Sequence, residues 1–161
     1  MTECSRGKVR KDIKPERVKY IEEEVACWRK ANQIHKWFVD NVQDGNDDCK
    51  QYYISHEQLQ ELVDICKKVL AASKLIPGVI GNGYTYEKVG DEMVQKPILE
   101  SGQIIEDPSV AQTLLPTQAG FFFGSTDYNE CYLDDLQSTI EQLEPVLQEG
   151  DCGSFYYQSS W

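Results

Sequence analysis

At 161 residues, with a formal net charge of -11 and a pI near 4.6, the chain is long enough for one domain with a real core and too acidic to grip a nucleic-acid backbone unaided. Hydrophobic residues at 40% and charged residues at 27% exclude global disorder, and no apolar run reaches signal-peptide or membrane-spanning length. The expectation is a cytosolic protein whose six cysteines, Cys4, Cys27, Cys49, Cys66, Cys131 and Cys152, are reduced thiols, since none has the paired spacing of a zinc knuckle or a dithiol site.

Residues 1–14 are basic and poor in apolar side chains, which predicts a flexible arm. From Pro15 to Val42 the pattern predicts one long helix, with Pro15 in the first turn and an apolar stripe of Val18, Ile21, Val25, Trp28, Val39 and Val42. Asn32 and His35 fall on that same stripe, while Cys27, Ile34, Phe38 and Trp37 widen the apolar surface to other sides. The stretch DGNDDC ends the helix at Gly45. Its likeness to a calcium loop is superficial, because alignment on that glycine puts Val42 where an oxygen ligand belongs and Gln51 where the bidentate glutamate belongs.

A short extended piece at Tyr52 to Ile54 leads to a capping box, Ser55 with Gln58, and a second helix to about Ala72 that buries Leu59, Leu62, Val63, Cys66, Val69 and Leu70. Residues 75–113 carry turn signals at Pro77-Gly78, Gly81-Asn82-Gly83, Gly90 and Ser101-Gly102, which predicts a small β-rich insertion or lid. Asp107-Pro108-Ser109 caps a short helix before Pro116. GFFFGST at 120–126 reads as a strand entering a third main helix, capped by Ser125, Thr126 or Asp127, with Leu133, Leu136, Ile140, Leu143 and Leu147 inward and a kink or end at Pro145. The tail over 149–161 is either loose or docked through Phe155, Tyr156, Tyr157 and Trp161. The expected fold is therefore α+β and predominantly helical: a long N-terminal helix packed with two further main helices plus a small β-rich excursion, in a single globular domain over 15–148.

Metal-protease, phosphate-loop, serine-hydrolase and dinucleotide signatures are missing, and two histidines, His35 and His56, are few for a metal site. Neither a catalytic residue, a metal nor a cofactor is assigned. Candidate ligand-binding residues fall in two groups. Trp28, Lys30, Asn32 and His35 combine a stacking face with hydrogen-bonding edges, although Asn32 and His35 serve equally well as a satisfied buried pair. Phe121, Phe123, Ser125, Thr126 and Tyr128 place aromatic rings before a helix N-terminus, where free amides hold anions. Three consecutive phenylalanines cannot all share one face of a strand, so one ring needs a second layer, a partner or a ligand. Asp134 and Asp135 are candidate contacts for a basic protein.

The segments WRKANQIHKWFVDNVQDGNDDC, YYISHEQLQELVDICKKVL and LLPTQAGFFFGSTDYNECYLDDLQSTIEQLEPVL, covering 28–70 and 114–147, resemble a family of small tailed-phage proteins to which no activity is assigned. The resemblance implies an accessory protein acting by binding in the cytoplasm of an infected bacterium. Two functions fit: an acidic inhibitor of a host defence factor, similar to anti-CRISPR proteins that cover basic channels, or a sponge for cyclic or ADP-ribose-derived nucleotide signals. A homo-oligomer is compatible with either.

Overall fold

The computed structural model describes residues 4–5, 8–9, 12–120, 124–149 and 153–160. In chain order they form strands β1 (Cys4–Ser5) and β2 (Lys8–Val9), a 3-10 turn (Pro15–Arg17), helix α1 (Asn32–Asn41), strand β3 (Tyr52–Ile54), helix α2 (His56–Ala72), strands β4 (Leu75–Val89) and β5 (Glu92–Ile105), helices α3 (Ser109–Leu114) and α4 (Glu130–Gln148), and strand β6 (Phe155–Tyr157). The strands pair antiparallel two by two: β1 with β2, β3 with β6, and β4 with β5.

The core lies where α1, α2 and α4 meet, capped by Ala111 and Leu115 from the α3 region. Ile34 and Phe38 come from α1, Leu62, Val63, Cys66 and Val69 from α2, and Leu136 and Leu143 from α4, all nearly or fully buried. Their spacing in α2 and α4 is the three-to-four-residue repeat expected of helices with one covered face. The Ser55–Gln58 capping box forms with both of its hydrogen bonds, and Gln58 Nε2 also donates to Asn41 O at 2.9 Å, tying the end of α1 to the start of α2. Lys67 bridges α2 to Glu144 of α4 at 2.5 Å.

The long N-terminal helix is not formed, and the expected fold class is corrected on that point. Only Asn32–Asn41 is helical, and 18–31 runs without regular structure. The reason is tertiary. In a continuous helix Trp28 and Phe38 would stand about 15 Å apart along the axis. Here the chain brings their rings to 5.4 Å and lets the Trp28 indole donate to Thr139 Oγ1 at 2.9 Å, while the Cys27 amide donates to Gln142 Oε1. Val18, Ile21 and Val25, the intended inward stripe, are 38%, 60% and 42% exposed, because no element lies over them. Without burial, their β-branched side chains give little reason to be helical.

The β element is larger than a small excursion. Strands β4 and β5 form a ribbon of fifteen and fourteen residues, paired from Leu75–Ile105 at the root to Val89–Glu92 at the tip. The two-residue turn has Gly90 at its first central position with φ +66°, as a primed hairpin turn prefers. Near the middle, Asn82 and Gly83 together oppose Ile98, a bulge in which Gly83 takes φ +82°. At the root the Ile104 and Ile80 side chains lie over Gly78 and Gly102, where an added Cβ would come within 2.6 and 2.7 Å of them. Residues 81–100 are exposed on both faces.

The last helix begins later than its expected caps. Ile105 N–H donates to Tyr128 O at 3.0 Å and Ile104 bridges Asn129, which holds 128–129 extended against the ribbon root. Asn129 is consequently the cap, its Oδ1 accepting from Tyr132 N–H, instead of Ser125, Thr126 or Asp127. Pro145 sits inside α4, which ends three residues later at Gln148. The tail is docked through β6. Tyr157 stacks on Phe38 at 4.0 Å with planes 12° apart. Trp161 and the phenylalanines 121–123 lie outside the described residues.

Candidate functional site

The expected ligand residues do not converge on one site. Trp28 is structural, held between Phe38, Tyr157 and Thr139. His35 is 8% exposed, with Nε2 3.0 Å from Asp47 Oδ1 and Nδ1 2.7 Å from the Tyr157 hydroxyl. A carboxylate only accepts, so Nε2–H donates to Asp47, and in the neutral ring Nδ1 accepts from Tyr157 O–H. Burial, with Asp47 nearby, raises the Tyr157 phenol and keeps that proton on oxygen. His35 thereby fastens the tail to α1.

Asn32 is buried and fully engaged. Its Nδ2 donates to Ser125 O at 2.9 Å and its Oδ1 accepts from Gln118 N–H at 2.9 Å. It grips both sides of the Phe121 and Phe123 segment, whose own placement is outside the described residues. Tyr128 packs its ring on Tyr132 at 5.1 Å and accepts from Thr117 N–H through its hydroxyl, and Thr126, exposed, offers its carbonyl to Thr117 Oγ1.

Lys30, Ser125 and Asp135 do come together, in a cleft of about 190 Å³ between the end of the N-terminal segment, residues 124–129 and the first turns of α4. Lys30 is left-handed at φ +65°, unusual for a side chain with a Cβ, and its carbonyl then accepts from Asn32 N–H across Ala31 in a tight inverse γ-turn. That turn starts α1 without a side-chain cap and delivers Arg29 and Lys30 to the cleft mouth. Gly124 passes so close that a Cβ there would stand 3.1 Å from Lys30 O. Opposite the cations lie Asp127 and the half-buried Asp135, whose Oδ2 accepts from Gln33 Nε2 at 3.0 Å. Desolvation raises the Asp135 carboxyl, only partly offset by Gln33 and reinforced by Asp134. Cys131 also borders the cleft, its thiol raised by burial and by Asp134, Glu130 and Asp135. Cys66, buried in the core, is pushed up to about 12 and is inert as a nucleophile.

Arg29, Gln33 and Asn129 belong to this cleft and carry no sequence signal, because their meeting depends on the left-handed turn at Lys30. Of the two acidic partner candidates, Asp134 is exposed on α4 while Asp135 is occupied by Gln33. A second cleft of about 260 Å³, sharing Gln33 with the first, lies further along α1 between Lys36, Asp40 and the 113–116 segment. Both volumes fall below the 300 Å³ or so at which pockets for drug-sized ligands begin. Among the described residues, no helix is long and apolar enough to cross a membrane. No protein family, characterised protein or solved structure matches the chain.

Proposed function

We propose that the protein acts by binding a basic protein partner through its acidic surface. The observation that carries this is the excess of carboxylates over cations, 27 Asp and Glu against 16 Lys and Arg. Lys36, Lys50, Lys67, Lys74 and Lys96 are each held by a carboxylate, Asp40, Asp48, Glu144, Glu106 and Glu87 respectively. With a net charge of -11, carboxylates are left in excess, among them exposed Glu22, Glu23 and Glu24 on the N-terminal segment and Asp134 on α4. Such a surface attracts clustered Arg and Lys over distances of about a Debye length and repels phosphate. On the resemblance to tailed-phage proteins, the partner is a host defence factor whose basic channel normally meets nucleic acid.

The nucleotide sponge is supported by Arg29 and Lys30 at one cleft, and opposed by the small volume of that cleft and by Asp127 and Asp135 inside it. Capture of a partner from bacterial lysate on the immobilised protein separates the two. The partner is expected to elute as salt rises, and to be lost when Glu22, Glu23 and Glu24 are all changed to Lys or when Asp134→Lys is introduced. Retention of the partner by these variants at high salt rejects charge-led binding. A selective rise of several degrees in melting temperature with one compound of a cyclic and linear nucleotide panel would establish the sponge instead.

A further inference from the structure

We propose that the exposed ribbon is a dimerisation arm, and that its occupant is the ribbon of a second copy of this chain. The two faces of the ribbon differ. Cross-strand partners share a face and neighbours along a strand alternate, so the pairs Gly81–Leu99, Tyr84–Pro97, Tyr86–Gln95 and Lys88–Met93 all point one way. The opposite face is mixed: Glu87, Lys96, Glu92 and Glu100 stand there among Ile80, Val89, Val94 and Ile98, with Glu87 and Lys96 paired to one another. The first face is apolar: Val79, Tyr84, Tyr86, Met93, Pro97 and Leu99, five of them 63–64% exposed and Pro97 exposed as well.

Area and charge both select a second copy. These six side chains leave roughly 500 Å² of apolar surface uncovered, the size of the largest patch on a typical monomer. Two such faces packed together bury on the order of 1,000 Å², where specific interfaces begin. The strip has a charge of opposite sign at each end. Lys88, with no ion pair among the described residues, stands at the tip end beside Met93. Asp127 stands at the root end, its Oδ2 3.5 Å from where a Cβ on Gly81 would lie. From Met93 to Leu99 is about 20 Å of strand. A two-fold axis through the middle of that span lays the ribbons antiparallel, sets Tyr84 and Tyr86 against their counterparts, brings Met93 onto the other copy's Leu99, and carries each Lys88 to the other copy's Asp127. This isologous arrangement closes on itself and satisfies both charges twice. The like charge of the two bodies opposes association in general, so the apolar strip and its terminal ion pairs dictate one orientation.

Sedimentation velocity on the purified full chain tests it. The wild type is expected to be a dimer whose dissociation constant rises at least tenfold with Lys88→Glu or with Asp127→Lys, and the double variant, which exchanges the charges, is expected to return to the wild-type value. Tyr86→Asp, at an exposed site that the fold does not use, is expected to be monomeric with an unchanged circular dichroism spectrum. A wild type that stays monomeric at high micromolar concentration overturns the proposal, whatever other partner the ribbon has. A dimer indifferent to Tyr86→Asp, or a double variant no better than the single ones, overturns the arrangement. None of these readouts involves the basic partner, so they succeed or fail independently of it.

Discussion

Asn32 shows how a polar residue on an apolar stripe resolves into structure. Its amide joins the two limbs of the aromatic segment, donating to Ser125 O and accepting from Gln118 N–H. Asn32→Ala leaves both backbone groups without their partner in a buried place, and is expected to lower stability by about 1–3 kcal/mol in urea titration. Asp135 makes a different prediction. Desolvation raises its carboxyl in the folded protein above the unfolded value of 3.8. Its favourable protonated state is fully present below that value, and the stability it lends is lost as pH rises through the folded titration. Asp135→Asn, which keeps a side-chain oxygen for Gln33, should therefore melt like the wild type in acid and higher at neutral pH. Equal melting temperatures across that range would show that the carboxyl sits comfortably ionised. The position of Asn32 on a buried face is legible in the sequence, since its seven-residue spacing from Val39 marks it. Its partners are not, because both lie more than eighty residues away.

Among the elements, α2 is legible almost to the residue: a capping box, five inward apolar positions at helical spacing and no glycine or proline inside agree on one answer. The N-terminal segment shows the opposite case. Its periodic Val18, Ile21 and Val25 suggest a helix, yet the pull of Trp28 on the Phe38–Tyr157 stack wins over a weak local preference. The ribbon announces its turns but not its length, since its alternation is broken by the bulge at Asn82-Gly83 and by apolar Ile80, Val89 and Val94 on the charged side. Its root depends on an exchange of space, with Ile104 lying over Gly78 and Ile80 over Gly102. Gly78→Ala should force Ile104 aside and cost about 1–3 kcal/mol by denaturant titration. The same change in an Ile104→Ala background should cost much less; an equal cost in both would locate the damage in the backbone instead.

At the scale of the whole molecule, the fold is held together by partners distant in sequence. Trp28 bonds Thr139 across 111 positions and His35 bonds Tyr157 across 122. Chains of this kind fold slowly, because loop-closure entropy is spent before the contacts that reward it appear. The ribbon changes the timing. A hairpin with a glycine turn forms in about 1–10 μs, and once Leu75 has met Ile105 the 29 residues between them no longer count in the search. The arm that reaches outward in the finished protein is thus also a splice, cutting the chain separation between α2 and the segment at Tyr128 and Asn129 that leads into α4.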